Sequence, residues 1–258
     1  MKFDELDERM RVFETASDQC ALPGIFMVAR IDGRNFTRLT KETHPFQQPF
    51  DERVRDYMIA TTEHLMRCGF HVVYGYTQSD EISLLFRLDE QLFNRKLRKY
   101  HSVLAGEASA RFSLLLGDLA CFDCRICQLP GEALVVDYFR WRNEDAARNA
   151  LSAHCYWALR KKGETAPKAS QMLDGLSTAE KNELLFQHGI NFSALPNWQK
   201  RGSGLYWESV EKQSINRKTG EAAIALRRRI KVDMELPMKD DYDGFIRKMV
   251  SIAAKVAE

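Results

Sequence analysis

The chain has 258 residues, with 38 Lys and Arg against 36 Asp and Glu, a formal net charge of +2 and 45% hydrophobic residues. That length suits one large domain or one domain with an elaboration, and the apolar share supports a real core, which excludes a disordered polymer. Balanced charge excludes a chain that is basic throughout, so any nucleic-acid contact must be a local patch; no apolar run reaches the ~18 residues of a membrane helix, and the charged opening MKFDELDERMRVFE is unlike a secretory leader, so a cytoplasmic setting is expected.

In chain order, the first half reads as six elements. GIFMVARI (24–31) is a short, mostly apolar strand, followed by a polar loop over 32–50. Residues 51–69 form a helix, because Val54, Met58, Thr61, Leu65 and Cys68 fall on one face at helical period. Gly69 suits its C-terminal stop. Strands over 70–77 and 82–88 flank a tight turn at Gln78–Glu81. A long helix over 90–116, with Leu92, Lys96, Lys99 and Val103 stepping along it, precedes a strand over 120–129. In the second half, 136–163 is largely helical, and 177–189 carries a Ser177–Glu180 capping box with Gly189 as its stop. Residues 204–213 and 222–236 resemble a hairpin, and a last helix covers about 241–257. No linker, repeat or low-complexity tract interrupts the chain, so a core over 1–135 is expected to carry 136–258 packed upon it as one compact unit.

The order β-α-β-β-α-β is the ferredoxin-like split motif of an α+β fold. Its first crossover makes strands 1 and 2 parallel, with strand 3 antiparallel between them. The end of strand 1 and the turn between strands 2 and 3 then share one edge of the sheet. Asp32 sits at the first place and Asp80 at the second. Taken singly, each carboxylate suits a solvated turn. Taken together, they suit hard dications such as Mg²⁺, which are held by carboxylates and substrate phosphates. Two such ions can clamp the attacking and leaving oxygens of a phosphoryl transfer. Gly33 has no Cβ and admits close backbone approach, and the amides from Gly33 to Thr37 are placed to line a triphosphate. Arg34 reads equally as a phosphate partner or a surface charge.

Arg95, Lys96, Arg98 and Lys99 form a basic run, with Lys96 and Lys99 on one helical face. Further basic spots are Arg140–Arg142, Lys161–Lys162, Lys200–Arg201 and Arg227–Arg229; Trp141, Trp198 and Trp207 beside them read as core before they read as base-stacking platforms. CFDCRIC places Cys121, Cys124 and Cys127 at metal-ligand spacing. Strand alternation turns Cys124 away from the other two and no fourth ligand is near, so ordinary reduced cysteines are expected.

RIDGRNF (30–36) followed by GYTQSDEISLLF (75–86) resembles the tRNA(His) guanylyltransferase superfamily of 3′–5′ polymerases. The likeness extends through FDCR (122–125), WRNEDAARNALSAHCYWAL (141–159), EKNELLF (180–186) and KRG (200–202), over about residues 5–235. The resemblance implies a polymerase-palm fold and two Mg²⁺ ions held by Asp32, the carbonyl of Gly33 and Asp80. It implies a nucleoside triphosphate along Asp32, Gly33, Arg34, Asn35, Phe36 and Thr37 and at Ser79 and Asp80. Lys99 and Arg125, together with Lys96, match family residues that touch triphosphate. The implied reaction activates an RNA 5′ end with ATP and then joins it to GTP. A tRNA partner and a tetramer built from dimers are also implied.

The chain departs from the pattern in places. Members that add a guanylate to tRNA(His) carry H-I-N-N-L-Y-N where this chain has Ala146, Ala147, Arg148, Asn149, Ala150, Leu151 and Ser152. This favours the like-protein branch, whose members extend 5′-truncated tRNAs on a template. Thr37 stands for a histidine, Cys124 for a glycine and Gln48 for a lysine. Strict tRNA(His) selection is the alternative. A palm-fold nucleotide cyclase and an RNA-recognition module share the topology. The module needs exposed aromatics, and ISLLFRL lacks its K/R-G-F/Y-G/A-F pattern.

Overall fold

The structure is a computed structural model and describes residues 2–215 and 222–255. Helix α1 (Phe3–Thr15) precedes strand β1 (Phe26–Arg34). A short α2 (Phe36–Arg38) widens into a further helical turn over Leu39–Thr43, and α3 (Glu52–Leu65) leads into β2 (Val72–Gln78) and β3 (Glu81–Phe86). One turn at Leu92–Arg95 introduces α4 (Leu97–Leu116) and β4 (Cys121–Leu129). The remainder is α5 (Glu132–Lys161), α6 (Ala166–Leu173), α7 (Thr178–Gln187), α8 (Asn197–Arg201), β5 (Ser203–Ile215), β6 (Ala222–Asp233) and α9 (Lys239–Ala254).

The six strands form one sheet in the order β4-β1-β3-β2-β5-β6, with every neighbouring pair antiparallel. Placing β3 between β1 and β2 makes those two parallel, which is the ferredoxin-like arrangement. The C-terminal hairpin joins the same sheet, because β5 pairs with β2 from Tyr74↔Tyr206 to Thr77↔Ser203. Its connecting turn lies outside the described residues, as do residues 256 and 257 of the expected last helix.

The pleat sends alternate residues to two cores. Met27, Ala29, Ile31, Ile82, Leu84 and Phe86 pack under α3 and α4 against Met58, Leu65, Tyr100, Leu104 and Phe112. Val28, Leu85, Tyr74 and Tyr76 pack on the opposite face against Val135 and Phe139 of α5 and Tyr242, Ile246 and Val250 of α9. Burial on both faces explains why β2 and β3 are apolar at nearly every position. Tyr74 and Tyr76 are 0% and 1% exposed, so the central strands offer no open aromatic platform for RNA.

Several boundaries move. The helix expected over 90–116 begins at Leu97, because Phe93, Asn94 and Arg95 hold left-handed φ of 53°, 53° and 57°. The buried Arg95 side chain organises that turn, donating to the carbonyls of Ala21, Leu22, Ile25, Leu88 and Glu90. Leu92 and Lys96 therefore precede the helix, and its buried face is Tyr100, Leu104, Ala108 and Phe112. The helix expected over 51–69 stops at Leu65, capped at its start by Asp51, which accepts from the Arg53 amide at 2.8 Å. Helix α5 starts one turn earlier than expected, at Glu132, and it lacks a single apolar stripe because it is packed on several sides: on the sheet, on α9 and, through Leu151, Cys155 and Ala158, on Leu185 of α7.

Candidate active site

Strands β4, β1 and β3 lie side by side, and their register aligns three rows of side chains on the face toward α5. Cys127, Val28 and Leu85 form an apolar row. Arg125, Arg30 and Ser83 follow, and Asp123, Asp32 and Glu81 come last, at the open edge. The sheet thus passes from core to charge within five residues of β1. Two arginines directly opposite each other would repel; the acidic row beside them compensates. The Arg30 Nη2 pairs with Glu81 and lies 3.6 Å from the Asp32 Oδ2. The Arg125 Nη2 lies 3.3 Å from Asp123 and 3.9 Å from Asp32.

Helix α5 closes the opposite wall. Its Arg142, only 6% exposed, donates to both oxygens of Glu81 at 3.3 and 3.1 Å and approaches Asp145 at 3.4 Å. Its guanidinium lies 3.6 Å from the centre of the Trp141 ring. Glu81 is therefore the shared counter-ion of one arginine from the floor and one from the roof.

Ser79 and Asp80 form the two-residue turn between β2 and β3, closed by the Gln78↔Glu81 pair, with Ser79 at a left-handed φ of 55°. The Gly33 N–H donates to the Asp80 carbonyl at 3.0 Å, so this turn and the tip of β1 are joined backbone to backbone. A methyl group at Gly33 would overlap the Phe36 ring. The Asp80 carboxyl is pushed up to about 6, chiefly by burial, with the charges of Asp32 and Glu81 adding to it. Asp80 makes no ion pair among the described residues. Two hard oxygen donors with repelling charge and a nearby backbone carbonyl are a donor set that suits Mg²⁺.

Asp32, Phe36, Thr37, Ser79 and Asp80 line one cleft of about 420 Å³, faced by Asp145, Asn149 and Ala153 of α5. Gln48, Pro49 and Phe50 form its third wall and lead into a bay of about 70 Å³ beside Trp198. Gln48 is tied to the Thr40 carbonyl at 3.1 Å. Arg34 and Asn35 line a separate shallow hollow with Arg38 and Leu119. Lys96 is paired with Asp18 at 2.8 Å, and the Lys99 Nζ lies 5.9 Å from the Phe93 ring; neither lines the cleft. Arg125 stands at its rim beside Asp32.

Sequence reasoning missed Arg30, Glu81, Arg142 and Asp145. The first two were within reach: period-2 alternation puts Arg30 on the face of Asp32, and Glu81 begins the strand after Asp80. Arg142 carried no such signal, because its partner is 61 positions away. The other basic spots resolve into structure. Lys200 is buried and donates to the Ser193 carbonyl at 2.7 Å, and Trp198 is buried under Arg55. Of the cysteines of β4, Cys121 is exposed, Cys124 packs toward α4 and Cys127 toward α5. Burial pushes the Cys124 thiol up to about 12.

The tRNAHis guanylyltransferase family matches residues 7–130, and the Thg1 C terminal domain matches residues 133–241. A probable tRNA(His) guanylyltransferase of Drosophila melanogaster is 34% identical over 229 residues, covering 85% of this chain and 78% of that protein. A bacterial tRNA(His) guanylyltransferase-like protein solved in complex with ATP superposes with a TM-score of 0.73 at 27% identity, over 95% of this chain and 99% of that one. The GTP complex of such a bacterial protein gives 0.72 at 29% identity, with the same coverage.

Proposed function

This chain belongs to the tRNA(His) guanylyltransferase family and is a nucleotidyltransferase, and on that premise we propose that it extends the 5′ end of tRNA in the 3′–5′ direction, copying the opposite strand and favouring GTP. The observation that carries the reading is the meeting of Asp32 and Asp80 at the mouth of a cleft large enough for a nucleotide.

The reaction has two transfers. A 5′-phosphate oxygen of the RNA attacks the α-phosphorus of ATP, and pyrophosphate leaves. The 3′-hydroxyl of GTP then attacks the activated 5′-phosphorus, its proton passes to solvent, and AMP leaves. Two Mg²⁺ ions held by Asp32, the Gly33 carbonyl and Asp80 would supply charge stabilisation at the transferring phosphorus and align the attacking and leaving oxygens. The chain's own residues fix the geometry. Arg30 holds Asp32 from one side while Glu81 anchors Arg30. Residues 32–37, with Ser79, bind the triphosphate, Arg34 and Asn35 through their backbone amides because both line the separate hollow, and Arg125 closes on it from the rim. Lys96 and Lys99 take phosphates that extend beyond the cleft, with Lys96 released from Asp18. Residues 1–135 hold the reacting groups, and helix α5 of the second half forms the roof. The enzyme works in the cytoplasm as a homo-oligomer, a tetramer built from dimers.

Small side chains along α5 favour repair of 5′-truncated tRNA over strict tRNA(His) selection. Ala146 and Ala150 line the cleft where selective members of the family carry a histidine and a leucine. The test is a tRNA transcript lacking its first nucleotide, incubated with Mg²⁺, ATP and the four NTPs. Growth by one nucleotide that follows a changed base in the opposite strand is the expected result. Growth confined to tRNA(His), with a G added beyond the paired end, would establish the selective alternative. A cyclic or hydrolysed nucleotide without RNA growth would overturn the polymerase reading.

A further inference from the structure

Helix α1 stands apart from both cores. None of its residues is buried, and Phe3, Leu6, Met10 and Phe13 are 42–77% exposed. These four fall at spacings of three, four and three, so they occupy the a and d positions of two consecutive heptads. A helix of 13 residues that buries no residue among the described ones is marginal in water, so a partner must cover this seam for the helix to persist. The flanking charges identify that partner. In the same heptads, Lys2 and Arg9 take the g positions and Asp7 and Glu14 the e positions. When two copies of α1 run parallel, each g residue meets the e residue of the next heptad on its partner. Lys2 then faces Asp7, and Arg9 faces Glu14. An antiparallel pair would set acid against acid and base against base.

We propose that α1 is a self-association element, pairing in parallel with α1 of a second copy of this chain through Phe3, Leu6, Met10 and Phe13. The contact continues onto the body. At the foot of the helix the chain is anchored by the bridge between Cys20 and Lys96, and Leu22 and Phe93 beside it are 65% and 39% exposed. A parallel pair brings two such patches to the same end. A membrane surface fits poorly as the occupant, because α1 carries five acidic side chains against two arginines and would be repelled by anionic lipid. The inference stands apart from the catalytic reading and goes beyond the expectation of an oligomer by assigning one contact, its seam and its direction.

Sedimentation velocity on the full chain over a concentration series tests it. The wild type is expected to self-associate. Met10→Asp, which puts a charge in the seam, is expected to weaken association roughly tenfold or more. Arg9→Glu should weaken it by about the same factor, and Arg9→Glu combined with Glu14→Arg should restore it to within a few-fold. Circular dichroism confirms that each variant keeps its fold. A chain that stays monomeric throughout, or an oligomer indifferent to Met10→Asp, overturns the seam. A charge swap that remains as weak as Arg9→Glu overturns the parallel direction.

Discussion

The amide of Gly33 donates to the carbonyl of Asp80 at 3.0 Å, so two loops 47 positions apart are pinned without using either acidic side chain. The carboxylates are therefore free for chemistry, and their removal leaves the pin in place. Asp80→Asn is expected to abolish nucleotide transfer while raising stability. Folding lifts the Asp80 carboxyl to about 6 from its ordinary 3.8. A raised carboxyl favours the protonated folded state, so its contribution is present below the ordinary value and lost as pH rises through about 6. At pH 7 the ionised group costs about 1–3 kcal/mol after allowance for its partial exposure. Urea unfolding should show Asp80→Asn more stable than wild type at pH 7, with the gap closing near pH 4. A variant less stable at both pH values would show that the carboxylate is not under strain.

Divalent-ion binding should follow the same titration. Mg²⁺ requires the ionised carboxylate. Affinity is expected to be flat above the raised value and to fall as pH drops through about 6. Calorimetry in buffers of different ionisation enthalpy should detect proton release on binding near pH 6 and none near pH 8. Asp32→Asn should remove the binding at both.

Gly33→Ala tests the close approach. The added methyl would strike the Phe36 ring, which packs at 5.1 and 4.9 Å between centroids on Phe112 and Phe122. Overpacking of this kind costs about 1–3 kcal/mol. Thermal unfolding should show that loss, and Phe36→Leu in the same chain should recover part of it. Recovery of stability without recovery of GTP affinity would separate the packing role of Gly33 from its role in the site.

The split between what the sequence discloses and what it hides follows the physics of each feature. The meeting of Asp32 and Asp80 is legible because strand order fixes which loops share an edge, and apolar strands announce that order. The polar rows across β4, β1 and β3 needed register, which alternation alone does not supply between strands distant in sequence. Helix α1 was hidden because its charged residues outnumber its apolar ones and its seam is buried against no element among the described residues. The turn around Arg95 was read as helix because a basic residue in a run looks solvated. Five carbonyl acceptors converging on one guanidinium are visible only in three dimensions.

Glu81 gives a prediction that distinguishes holding from chemistry. It is the counter-ion of Arg30 and of Arg142, and Arg142 is almost wholly buried. Glu81→Gln keeps the shape but leaves two guanidinium groups short of charge. Breaking a buried pair from one side costs about 3–5 kcal/mol, and the partial exposure of Glu81 lowers that to about 2–4. Urea unfolding should read the loss, and Arg142→Met in the same chain should return part of it by removing one stranded cation. Turnover should fall in both variants, because Arg30 would swing from Asp32 once Glu81 no longer holds it. If Glu81→Gln unfolds at the wild-type midpoint and keeps its turnover, the network is a solvated surface cluster and Arg30 is positioned by Asp32 alone.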